Sequence, residues 1–213
     1  KMDMGGAAAV LGAFTGLREA GAAASVTGWL MCTDNMPSGT AYKLGDVLTA
    51  RDGTTVEVKN TDAEGRIVMM DAIALAVEEG VDAIIDIATL TGAALMALGQ
   101  LTAPVLGNDQ RVVDLTLAAS AVTGEPLWQL PLERKYRPQL DSDVADLANI
   151  GGRYAGATTA ALFLDHFTRK TPWAHLDIAG TMAVDADESW RSKGATGFGA
   201  RLLLETALTF TKA

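Results

Sequence analysis

The sequence predicts an α/β fold of three layers, with helices over both faces of a mixed sheet that is parallel in its centre. Three observations predict it. Strand-like and helix-like runs alternate along most of the chain, the pattern of a sheet covered on both faces. Asp82 to Ala88 is a nearly continuous apolar run of the kind buried inside parallel sheets. A late strand, Trp173 to Ile178, is followed by one more helical pattern.

In chain order, Gly6 to Gly21 carries Val10, Leu11, Phe14 and Leu17 at helical spacing and stops at a glycine, as a helix with a glycine C-cap does. Ala24 to Cys32 reads as a buried strand, which makes Cys32 a buried thiol. Thr33 to Gly39 is dense in turn formers and reads as a loop. Asp46 to Ala50 and Thr54 to Val58 are β-type runs joined by Arg51-Asp52-Gly53, a hairpin signal. After the loop Asn60 to Gly65, Arg66 to Glu79 has Val68, Ala72, Leu75 and Ala76 on one face and ends at Gly80, so a second helix is expected. A helix after Gly92, a short strand near Ala103 to Leu106, and helices near Val112 to Thr123, Ala157 to Arg169 and Gly199 to Thr209 complete the pattern.

The chain has 213 residues, is 49% hydrophobic and carries a formal charge of -9, so one sizeable core and a single domain over 1–213 are expected. An acidic balance excludes the clustered Lys and Arg of a nucleic-acid footprint. One cysteine excludes an intrachain disulfide framework and suits a cytoplasmic protein. No apolar stretch reaches the roughly 18 residues of a membrane span, and no signal-peptide order is visible. Lys1-Met2-Asp3-Met4 runs straight into Gly5-Gly6 and an alanine-rich helix, which reads as a chain cut within a motif.

Chemistry concentrates in Asn60-Thr61-Asp62-Ala63-Glu64-Gly65-Arg66. Two carboxylates two positions apart on an extended loop can point to one ion. The competing reading is a helix-entry turn in which Thr61 or Asp62 caps the following helix. Position favours the first, since loops at the carboxyl ends of central strands are where open α/β sheets place ligands. Arg66 adds a fixed positive charge suited to an anion or a developing oxyanion. Asp3 reads equally as a third ligand or as a helix-opening carboxylate. His166 and His175 read as packed, hydrogen-bonded residues rather than ligands, and Asp177 as a loop anchor. Gly151-Gly152 and Gly156 fit no phosphate-loop pattern and read as a flexible loop near the site. The four tryptophans read as core or subunit contacts.

The heptapeptide Asn60 to Arg66 resembles the signature of the leucine aminopeptidase (cytosol aminopeptidase) family of dinuclear metal peptidases. Lys1 to Ala8 resembles that family's helix-opening segment, and Met36-Pro37-Ser38-Gly39 with Asp46-Val47 its following loop. Ala88 to Ala93 resembles its pocket segment, and Asp146 to Gly152 and Trp173 to Gly180 two further motifs, so that the resemblance covers essentially the whole chain. It implies an aminopeptidase that removes leucine-like N-terminal residues from peptides, with two divalent ions, zinc or manganese, and a homohexameric assembly. By the same resemblance Asp3, Asp62 and Glu64 are metal ligands, with Asp62 serving both ions, and Arg66 holds a bicarbonate that takes a proton from the nucleophilic water. Thr89, Gly92, Ala179 and Met182 line the pocket for the first side chain, and the Leu90 carbonyl meets the substrate backbone.

The chain departs from the family pattern at its start. The family's upstream strand and loop bring a lysine ligand, a bridging aspartate and a second lysine, none of which is in these residues, so three carboxylates stand where five ligands are expected. The expectation is therefore a catalytic domain truncated at its N-terminus. Its rival is a non-catalytic chain that keeps the fold and assembly surfaces. Leu44, where the family has proline, alters one loop and touches no proposed ligand.

Overall fold

A computed structural model describes residues 2–212; Lys1, with which the first motif opens, lies outside them. After a 3-10 turn, Met2–Met4, the chain forms α1 (Gly5–Leu17), β1 (Val47–Thr49), β2 (Thr55–Glu57), α2 (Glu64–Glu78), β3 (Ile84–Ala88) and α3 (Gly92–Leu98). There follow β4 (Ala103–Gly107), α4 (Gln110–Thr123), β5 (Leu127–Gln129), a 3-10 segment Arg134–Leu140, β6 (Leu147–Ala148), α5 (Gly156–Phe167) and β7 (Trp173–Asp177). The last elements are β8 (Ala183–Val184), β9 (Gly194–Ala195) and α6 (Ala200–Thr209).

The main sheet has four strands in the order β3-β7-β4-β5. β3 pairs with β7 and β4 with β5 in parallel, while β7 and β4 run antiparallel. The sheet is thus mixed, as expected, but its parallel pairs lie to either side of an antiparallel central junction. α1, α4 and α6 pack together on one face, and α2, α3 and α5 on the other, giving the three layers. β1 and β2 form the expected hairpin through Asp52-Gly53, whose glycine has φ +88°, and β6 joins β2 in parallel to make a separate small sheet.

Strand alternation decides which face each side chain serves. Ile85 and Ile87 of β3 and Ala174 and Leu176 of β7 join Val105, Val113 and Leu202 under α1, α4 and α6. Ile84 and Trp173 turn the other way, into a cluster with Ile67, Met70 and Ile73 of α2 and Phe163 and Phe167 of α5. Asp86, His175 and Asp177 have the parity of Ile84 and Trp173 and face the layer that contains α2. Close packing explains Gly6: a Cβ there would lie 2.2 Å from the Ile87 carbonyl oxygen, so α1 reaches β3 only through a residue without a side chain.

One strand expectation fails. Residues 24–32 form no strand and lie largely exposed, and Cys32 is exposed rather than buried. An extended run becomes a strand only by pairing, and the sole backbone bond within this run joins Cys32 N–H to the Leu30 carbonyl among the described residues. Trp29 packs it against the core. It faces the outer edge of β3 across a cleft of about 1460 Å³, roofed by α1 and α2. Ile84 donates to Pro172 and Ala88 accepts from Ile178, so the intervening Ile85 and Ile87 turn their peptide groups away from β7.

Candidate active site

The mouth of that cleft collects most of the residues singled out above. Asp3, Asp62, Glu64, Thr89, Leu90, Gly92, Ala179 and Met182 all line it, whereas Arg66 does not. The carboxyl ends of β3 and β7 deliver Thr89–Gly92 and Ala179–Met182 side by side, and the start of α2 brings Asp62 and Glu64.

The loop before α2 is shaped by residues other than its acids. The helix begins at Glu64, two residues earlier than its pattern predicts, and no side chain caps it. Asn60 Oδ1 instead accepts from the Asp62 N–H at 2.8 Å. The capping reading of Thr61 and Asp62 is therefore not realised. Fully buried Asn149 holds the loop from below: its Oδ1 accepts from Lys59 N–H (2.8 Å) and Asn60 N–H (3.2 Å), and its Nδ2 donates to the Asn60 carbonyl (2.6 Å). From above, Tyr42 donates to the Thr61 carbonyl (2.8 Å), and Asn35 Nδ2 donates to the same carbonyl (3.0 Å) and to Glu64 Oε2 (2.9 Å).

Asp3 is held by the segment that follows β3, where Thr89 Oγ1 donates to Asp3 Oδ1 at 2.6 Å. Burial raises the Glu64 pKa, and the nearby Asp3 and Asp62 charges add to the rise. Burial, with the charges of Glu64 and Asp62, also raises the Tyr42 pKa. Three hard oxygen donors that repel one another match in kind what a divalent cation requires, and a cation would relieve the repulsion. Their arrangement is not a closed ligand set: among the described residues no group of three or more His, Cys, Asp or Glu side chains is placed to hold a metal ion.

Arg66 lies just behind the cleft wall, 5% exposed. Burial pulls its guanidinium down to about 10, against the opposing pull of Asp177 and Glu64, so it stays charged at neutral pH. Its Nε and Nη1 are buried without a hydrogen-bond partner among the described residues. Buried donors of a cation left unanswered are what a small anion would satisfy.

Next to Arg66 lies a polar patch that the sequence suggested only in part. Asp86 stands directly opposite His175 in the β3–β7 register, accepts from His175 Nδ1 and takes the Trp173 indole N–H on its other oxygen. Burial disfavours a charged His175, but the Asp86 charge and hydrogen bond outweigh it and the imidazole pKa is raised. His166 is also hydrogen-bonded, to Thr54 Oγ1. Both histidines are thus packed residues, as expected. Asp177 anchors loops, also as expected, accepting from the backbones of Leu90, Thr91 and Ala179 and from the Thr91 hydroxyl. Gly156, from the glycine-rich run, opens α5 against Ala93. Asn149, Asn35, Tyr42 and Asp86 went unrecognised in the sequence, for each acts on a partner at least 19 residues away.

Comparison with known proteins bears on what this cleft is. A model of the cytosol aminopeptidase family's catalytic domain matches residues 1–204. A probable cytosol aminopeptidase of Alkaliphilus metalliredigens is 47% identical over 212 residues, covering 100% of this chain and 42% of that protein. Another, from Synechococcus sp. (strain JA-3-3Ab), is 50% identical over 208 residues, 98% of this chain and 41% of that protein. A third, from Solibacter usitatus, is 45% identical over 208 residues, 98% of this chain and 43% of that protein. The chain thus spans about two fifths of the length of the curated relatives it matches.

Proposed function

Since the chain belongs to the cytosol aminopeptidase family, we propose that it forms the catalytic part of a metal-dependent aminopeptidase that removes leucine-like N-terminal residues from peptides. The observation that carries this reading is the meeting of Asp3, Asp62 and Glu64 with the Thr89–Gly92 and Ala179–Met182 segments in one cleft. The three carboxylates would hold two divalent ions, zinc or manganese, with Asp62 serving both; oxygen donors accept either metal. When bound, such a pair lowers the pKa of a shared water and polarises the scissile carbonyl.

The chain's own residues account for the rest. Arg66, with its buried donors, would hold a bicarbonate, and that anion would supply a base for the attacking water. Leu90 offers its carbonyl to the substrate backbone, and Thr89, Gly92, Ala179 and Met182 form a largely apolar pocket that favours leucine-like side chains. A homohexamer is the assembly proposed, by analogy with the family. The relatives' name supports a cytosolic location, and among the described residues no helix is long and apolar enough to cross a membrane.

A second reading, a non-catalytic member that keeps the scaffold, is favoured by one observation: the three carboxylates are not placed to hold an ion among the described residues. Metal content and leucyl-anilide hydrolysis separate the two, measured with added zinc or manganese on this chain and on one extended upstream to the length of its relatives. Two ions per subunit and turnover in the extended chain support the enzyme. Neither metal nor turnover in either chain leaves the scaffold.

A further inference from the structure

We infer that Asp177 is a positioning residue that sets the width of the first-side-chain pocket by tying both of its walls to the end of β7, a role that rests on the aminopeptidase reading above. Asp177 is the last residue of β7 and is fully buried. A buried carboxylate needs several donors to offset its lost hydration. Here they come from two separate stretches of chain. Oδ1 accepts from the N–H groups of Leu90 (3.1 Å), Thr91 (3.2 Å) and Ala179 (3.3 Å), and Oδ2 from the Thr91 hydroxyl (2.6 Å). Leu90 and Thr91 belong to one wall of the pocket and Ala179 to the other, so a single oxygen fixes the distance between them.

The tie extends into α3. Thr91 Oγ1, while donating to Asp177, accepts from Ala94 N–H at 3.0 Å and so caps the helix whose first residue, Gly92, lines the pocket. Asp177 also has two basic groups near it. Arg66 and the Asp86-bound His175 both lie within its electrostatic reach. Asp86 aligns with His175 and Ala88 with Asp177 in the same ladder, so the Asp86–His175 bond and the Asp177 tie are held by one strand pairing. A loop anchor needs only one wall; the attachment of both walls to one carboxylate points to control of pocket shape.

The test uses the chain extended to the length of its relatives, loaded with manganese, with leucyl- and alanyl-anilides as substrates. Asp177→Asn turns an amide toward N–H donors. It is expected to raise KM for the leucyl substrate and to reduce the leucine-over-alanine preference by about tenfold, with kcat and bound metal nearly unchanged. Thr91→Val, which removes the hydroxyl's bond to Asp177 together with its cap on the Ala94 N–H, is expected to shift the preference in the same direction by less, and Thr91→Ser, which keeps both bonds, to leave it unshifted; these two decide the matter if Asp177→Asn does not fold. An unchanged preference in variants that merely melt at lower temperature overturns the inference and leaves the aminopeptidase reading standing. If the unsubstituted protein hydrolyses neither substrate, both fall together, and faster hydrogen exchange at the Leu90 and Ala179 amides of Asp177→Asn then marks a structural clasp only.

Discussion

Two groups of carboxylates, close in space, are treated in opposite ways. On the inner face of the sheet, Asp86 and Asp177 each have both oxygens occupied by donors and a cation close at hand. At the cleft mouth, Asp3, Asp62 and Glu64 face one another with few donors between them, and Glu64 is raised for that reason as well as by its burial. The first group is neutralised by the fold itself. The second is left with a charge imbalance that a ligand from outside would resolve. Acidic residues that the fold leaves unresolved are therefore better candidates for binding than those it buries most deeply.

The largest break in this contrast comes from removing an inner carboxylate. Asp86→Ala leaves the fully buried His175 and the Trp173 indole without their acceptor, and losing one partner of a buried pair costs about 3–5 kcal/mol. Urea denaturation is expected to show a large fall in midpoint, and a midpoint within error of the original would mean the pair contributes nothing.

A gentler break is pH. Burial opposes the His175 imidazolium, yet Asp86 raises its pKa above the ordinary value of about 6.5. A group with a raised folded pKa binds its proton more tightly in the native state, so its contribution is full below that ordinary value and is lost as pH rises through the raised one. Urea midpoints are expected to decline over that range, and the decline to flatten in Asp86→Asn.

The smallest effect has the opposite sign. Glu64→Gln removes one member of the repelling set, so the metal-free chain should melt slightly higher, by less than about 1 kcal/mol of stability. Added manganese should raise the melting temperature of the unsubstituted chain but raise that of the variant less. A variant less stable without metal would show that the cleft acids are held by the fold after all.

The sequence made the core strands and long helices legible because their signals are local: an apolar run for β3, Asp52-Gly53 for the hairpin, helical spacing of apolar residues for α1, which nonetheless ends at Leu17, short of the expected Gly21. β5 and β6, of three and two residues, carry no period of their own and exist only through pairing with β4 and β2. Residues 24–32 show the converse, a strand pattern without a bonded neighbour. In the site, the acids and Arg66 stood out as one heptapeptide. Asn149 and Asp86 did not, because what they do is set by which residues the sheets bring opposite them across about 90 positions.

The outer edge of β3 bears on solubility as well as on architecture. Ile85 has a peptide group without a hydrogen-bond partner among the described residues, beside an apolar trough where Val26 and Met31 of residues 24–32 lie exposed opposite. A bare, apolar rim of this kind is a template for strand addition between molecules. Because that rim is already in β conformation, pairing between copies there needs no prior unfolding, and it becomes more frequent as the protein is concentrated.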